Sequence, residues 1–130
     1  MAHYLDTSAL VKLVIEEAES VALADWLAAA ERGPVTSDLA RTELLRSVRR
    51  WAPEQAVAAT QLLEAMTVLT LATSTFETAA RLDPAELRSL DALHIAEALE
   101  LGDELDGFVT YDDRQADAVR AYGIEVVAPA

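Results

Sequence analysis

Four acidic residues stand where carboxylates can do chemistry. Asp6 closes the short apolar run at the start of the chain and is followed by Thr7 and Ser8. Glu43 lies in Ala40-Arg41-Thr42-Glu43-Leu44-Leu45, and Asp91 in Leu90-Asp91-Ala92-Leu93-His94-Ile95-Ala96. Asp112 follows Phe108-Val109-Thr110 after one intervening residue. If these acids converge, their like charges cannot all persist without compensation, and one or more pKa values must rise. A divalent cation removes the conflict. Carboxylate and water oxygens are the ligands that Mg²⁺ and Mn²⁺ prefer. The chain has no cysteine and only two histidines, which disfavours Zn²⁺. One or two such ions lower the pKa of bound water and polarise a phosphoryl oxygen, with paired ions ~3.5–4 Å apart.

Each acid also has a plain structural role open to it. Asp6 can cap the helix that follows it. Glu43 can pair with Arg46 or Arg50 on its own helix, because three- and four-residue spacings are neighbours there. Asp91 can favour a helix N-terminus through the dipole. Asp112 can serve as an N-cap, with Asp113 competing for either job. What makes a site is their joint placement.

That placement depends on alternating elements. Tyr4-Leu5-Asp6 reads as the end of a strand, and Leu10, Val11, Leu13 and Val14 begin a short helical pattern. An amphipathic helix is expected over Glu19 to Ala30, stopped by Gly33-Pro34. Val35-Thr36 reads as a short strand, and Ser37 or Asp38 as the cap of a helix to about Arg50. Pro53 suits the first turn of a helix running to about Ala65. Thr67 to Leu71 is rich in β-formers, and Ser74 or Thr75 can cap a helix to about Leu82 before Asp83-Pro84 breaks it. A helix is expected over Leu87 to Leu101, ending at Gly102. Asp106-Gly107 reads as a turn before the strand Phe108-Val109-Thr110. A last helix runs to Tyr122 and Gly123, and a last strand spans Ile124 to Val127. Strands separated by helices argue for a parallel sheet covered on both faces. Asp6 and Asp112 then lie at strand C-terminal ends and Asp91 near a helix N-terminus, all on the sheet edge where ligands bind.

Composition limits the partners. At 130 residues, 52% of them hydrophobic, one domain with a real core is expected. No apolar run approaches the ~18 residues a membrane span needs, and no signal-peptide pattern is visible, so the chain reads as soluble and cytoplasmic. The net charge is −13. That is the wrong sign for binding nucleic acid by charge alone, but it is compatible with cations bridging acid and phosphate and with a basic protein partner.

At the four acids the sequence resembles the PIN-domain proteins, specifically the VapC-type toxins of bacterial toxin–antitoxin pairs. The resemblance rests on Tyr4-Leu5-Asp6-Thr7-Ser8-Ala9-Leu10, Arg41-Thr42-Glu43-Leu44, Leu90-Asp91-Ala92-Leu93-His94-Ile95-Ala96 and Val109-Thr110-Tyr111-Asp112. It implies a three-layer α/β/α sandwich around a short, mainly parallel sheet. It also implies an Mg²⁺- or Mn²⁺-dependent endoribonuclease, usually a homodimer, that hydrolyses RNA with a metal-activated water. A cognate antitoxin would inhibit it by laying a basic segment into the acidic site. Under the resemblance Asp6, Glu43, Asp91 and Asp112 are the metal-binding acids. Thr7 or Ser8 and Thr110 are hydroxyls that orient carboxylates or waters. Asp113, Asp38 and Asp117 lie near the right segments as further charge.

His94 shares a helix side with Asp91, either as a general base or, more in keeping with such positions, as a structural histidine. Lys12, Arg46 and Arg50 are candidate RNA contacts, against the alternative that they balance an acidic surface. Trp26 and Trp51 read as core or interface anchors rather than base-stacking platforms. Tyr111 is the candidate exposed aromatic. Two other functions compete. An aspartyl-phosphate phosphatase would want an acid at position 8, where Ser8 stands, and a late lysine, which the chain lacks. A catalytically silent module that sequesters a basic partner needs no full set of acids.

Overall fold

Alternation along two central strands builds both halves of the core. The computed structural model describes all 130 residues, Met1–Ala130. In β1 (Ala2–Leu5) and β4 (Leu105–Val109), successive side chains point to opposite faces. Leu5 and Val109 therefore enter one buried cluster, with Ala9, Leu10, Leu23, Leu44, Val48 and Leu63. Tyr4 and Phe108 enter the other, with Val35, Ile95, Ala98 and Val119. Neither strand has a polar face, as expected for strands covered on both sides.

The remaining strands are β2 (Pro34–Ser37), β3 (Thr67–Leu69) and β5 (Val126–Val127). All five run parallel in the order β3-β2-β1-β4-β5, the expected three-layer α/β/α arrangement. Helices α1 (Thr7–Lys12), α2 (Ser20–Ala29), α3 (Asp38–Trp51) and α4 (Ala56–Ala65) supply the Leu5 cluster. Helices α6 (Ser89–Leu99) and α7 (Asp113–Ala121) supply the Tyr4 cluster, and α5 (Thr73–Ala80) packs on α6. In α3, Ala40, Leu44 and Val48 recur every fourth residue and form its buried stripe. Burying Leu44 alone contributes about 1.5–3 kcal/mol. No helix is long and apolar enough to cross a membrane.

Several local expectations are corrected. Asp106-Gly107 is not a turn but part of β4. Glycine fits closely there: a Cβ would lie 3.1 Å from the His3 ring and 3.2 Å from a Val127 methyl, so those side chains would have to give slightly. The turn glycine is instead Gly33, at φ +57°, where a Cβ would collide with the Met1 carbonyl. Ser37 sits at the N-cap of α3 but makes no cap bond; its oxygen accepts from the Tyr4 hydroxyl. Ser74 and Thr75 lie inside α5, whose cap position is Ala72, and Thr75 faces Glu97 and Glu100.

Candidate metal centre at the sheet edge

Asp6 leaves β1 at its C-terminal end and is 4% exposed. Its carboxylate does two jobs there. It caps α1 by accepting from the Ala9 amide, and it accepts from the hydroxyls of Ser8 at 2.6 Å and Thr110 at 2.5 Å. Ser8 also accepts from the Tyr111 amide, so one hydroxyl ties the ends of β1 and β4 together. Burial pushes the Asp6 carboxyl above its ordinary range against the pull of these donors.

Glu43 projects from α3 toward the same edge. Its Oε1 accepts from Thr7 Oγ1 at 2.6 Å and from His94 Nε2 at 2.6 Å. It pairs with neither Arg46 nor Arg50; its partner His94 is on another helix. Burial is the largest single influence and works against its charge, but the His94 and Thr7 contacts together outweigh it and hold the carboxyl below its ordinary value. His94 is 2% exposed, and its Nδ1 meets the Tyr4 hydroxyl at 2.7 Å. A buried chain of polar groups thus runs from Ser37 through Tyr4 and His94 to Glu43. Burial drives the Tyr4 phenol well above its ordinary value.

Asp91 lies in the first turn of α6, and Asp112 caps α7 by accepting from the Arg114 and Gln115 amides. The Asp91 carboxyl is raised by burial first and by the Asp112 charge second. Gln115, fully buried and not singled out by its sequence context, fastens α7 to α6 by donating to the Asp91 carbonyl. A groove of about 420 Å³ runs beside Asp91, with Arg88 and Arg114 among its walls.

The donor set is all oxygen, which suits a hard divalent ion. Glu43 Oε2, Asp112 Oδ2 and both Asp91 oxygens make no hydrogen bond within the protein. As they stand, no three acidic or histidine side chains converge closely enough to cage an ion. Asp38 and Asp117 are engaged by Arg41 and Arg120 on their own helices, and Asp113 is exposed. Lys12 is paired with Glu17 and Glu19 and lies over the Tyr111 ring. Tyr111 is only half-exposed and donates to the Pro129 carbonyl. Trp26 packs edge-on against His3, whereas Trp51 is 68% exposed and belongs to no core.

Comparison with known proteins bears on the family and the fold. The PIN domain family matches residues 3–121. Ribonuclease VapC47 of Mycobacterium tuberculosis is 42% identical over 130 residues, covering 97% of this chain and 96% of the relative. Ribonuclease VapC46 of the same species is 41% identical over 129 residues, covering 98% of each. The crystal structure of M. tuberculosis VapC20, described as a Sarcin-Ricin loop cleaving toxin, superposes with a TM-score of 0.79 at 22% identity, over 98% of this chain and 100% of that one. A toxin–antitoxin complex from Klebsiella pneumoniae gives 0.74 at 18% identity, over 100% and 98%.

Proposed function

The chain belongs to the PIN-domain family, among its VapC ribonucleases, and on that premise we propose that it cuts RNA internally in a divalent-metal-dependent reaction. It is the toxin component of a toxin–antitoxin pair. The observation that supports the metal reading is that burial, and then the Asp112 charge, raise the Asp91 carboxyl, while the Thr110 hydroxyl links the Asp112 backbone to the buried Asp6. Asp6, Glu43, Asp91 and Asp112 would hold Mg²⁺, or Mn²⁺ in its place. A bound ion of this kind acidifies a water and neutralises phosphoryl charge.

The chain's own residues do the rest. Ser8 and Thr110 fix the Asp6 carboxylate, while Thr7 and His94 fix Glu43. Polar partners behind metal ligands set their orientation and basicity. Arg88 and Arg114 line the groove beside Asp91, where a phosphate backbone would run. The net charge of −13 suits an antitoxin that reaches the acidic edge with a basic segment. Phe76 and Leu90 are 53% and 47% exposed, and Phe76 and Leu93 flank an apolar hollow between α5 and α6; this supports a homodimer. The protein acts in the cytoplasm, with its antitoxin.

The test is cleavage of a mixed structured RNA pool by antitoxin-free protein with Mg²⁺, Mn²⁺ or EDTA, beside Asp6→Asn. Metal-dependent cuts at discrete positions, lost in the variant, are expected. A folded, metal-binding protein that cuts nothing would return the binding-module reading.

A further inference from the structure

Helix α3 carries four of the nine arginines of a chain with net charge −13, so a basic face on it runs against the whole surface. Arg41 is paired with Asp38, but Arg46, Arg49 and Arg50 make no ion pair, although 23 acidic residues are available. These three, with Ser47 and Trp51, line an open cleft of about 570 Å³. The Arg50 guanidinium lies 4.6 Å from the centre of the Trp51 ring, and that ring is 68% exposed. The helix dipole accounts for cations in the last turn of α3. It does not account for an indole left in water beside them.

Position links the cleft to the acids. Glu43, Arg46, Ser47 and Arg50 follow the spacing that places residues along one helix side. At 1.5 Å per residue, Arg50 lies about 10 Å along the helix from Glu43. A strand lying at the acidic edge can continue along this stripe. Unpaired arginines beside an open aromatic face are what single-stranded nucleic acid needs: cations on phosphates, and a ring on which a base stacks whatever its sequence. In a chain that repels polyanions overall, such a patch also fixes where the strand lies.

We infer that the cleft formed by Arg46, Ser47, Arg49, Arg50 and Trp51 is a docking site for single-stranded RNA flanking the cut, with the arginines on phosphates and Trp51 stacked on a base. The inference rests on the ribonuclease reading for its substrate, but its test does not require cleavage.

The probe is a fluorescein-labelled 12-nucleotide single-stranded RNA of mixed sequence, bound to the full chain in EDTA and followed by anisotropy across a salt series. Arg46→Ala/Arg50→Ala is expected to weaken binding and to lower the slope of log affinity against log salt by about 1.4. Arg81→Ala/Arg120→Ala, equal in charge change and away from the cleft, is expected to leave that slope near the wild-type value. Trp51→Ala should weaken binding about 5- to 100-fold, and Trp51→Phe less. Equal slopes for the two double variants, or wild-type binding by Trp51→Ala, would overturn the inference. So would loss of a wild-type dimer in Trp51→Ala with RNA affinity unchanged, which would give the face to a second copy. A chain that binds RNA through these residues yet never cuts it would retract the nuclease reading alone. One that neither binds nor cuts would retract both.

Discussion

Glu43 and His94 lie 51 positions apart and meet across α3 and α6, with His94 Nε2 2.6 Å from Glu43 Oε1. The imidazole is buried, and its other nitrogen rests on the Tyr4 hydroxyl, so its orientation is fixed from both ends. Glu43 is therefore presented with one oxygen tied and the other free.

Removing the imidazole should release Glu43. His94→Ala is expected to lower metal affinity and cleavage by about 10–100-fold, the usual cost of losing a ligand's supporting partner. His94→Gln, which keeps an amide donor, should recover part of it. Glu43 is held below its ordinary pKa, so the stability it contributes is present above the ordinary carboxylate range and lost as pH falls through its folded value. The deficit of His94→Ala in a urea titration should accordingly shrink in acid. A deficit of constant size from pH 7 to pH 3 would speak against the pair.

Tyr4→Phe deletes the hydroxyl that joins Ser37 to His94. Two buried polar atoms lose their partner, at a cost of about 1–3 kcal/mol. The urea midpoint should fall with an unchanged slope, since the exposed surface on unfolding stays the same. A midpoint equal to wild type would show that water replaces the hydroxyl.

For Asp6→Asn, stability and activity should part. The amide removes a charge whose burial is costly, so the metal-free variant should melt at or above the wild-type temperature. Mn²⁺ should then raise the melting temperature of the wild type but not of the variant. Equal stabilisation of both proteins would move the ion away from Asp6.

Glu97 offers a prediction outside the site. Thr75 has one hydroxyl proton and two carboxylates in range, Glu97 at 3.1 Å and Glu100 at 2.7 Å. Burial, and then the Glu100 charge, raise the Glu97 carboxyl. With the folded value above the unfolded one, stability falls as pH rises from the ordinary carboxylate range through the folded value. Glu97→Gln, neutral and able to donate, should raise the melting temperature at pH 7 and give no advantage at pH 3. No gain at pH 7 would mean that the ionised pair is already accommodated.

The strands and the parallel sheet were legible because apolar β-formers and helix punctuation agree along the chain. The four acids were legible because three of them mark element ends. Their partners were not. A helix spacing rule offers Glu43 only residues of its own helix, Arg46 and Arg50, whereas the sheet brings His94 to it from α6. Ser37, Ser74 and Thr75 carry cap-type side chains, but Ser37 and Thr75 use their hydroxyls on other elements, which no local pattern records. Gly107 looked like a turn because close approach of His3 and Val127 leaves the same signature as a needed bend. Trp51 looked like an anchor because composition cannot say which helix end stays uncovered.

The strand order β3-β2-β1-β4-β5 has a consequence in time. Asp6 is made 104 residues before its hydroxyl partner Thr110, and the two meet because β4 slots in beside β1. A chain stopped before Thr110 has neither Asp112 nor one of the two hydroxyls that hold Asp6, which leaves Ser8 to hold it alone. The edge of β1 that carries Asp6 is thus completed only by a strand made long after it, so the proposed site cannot assemble in step with the synthesis of β1.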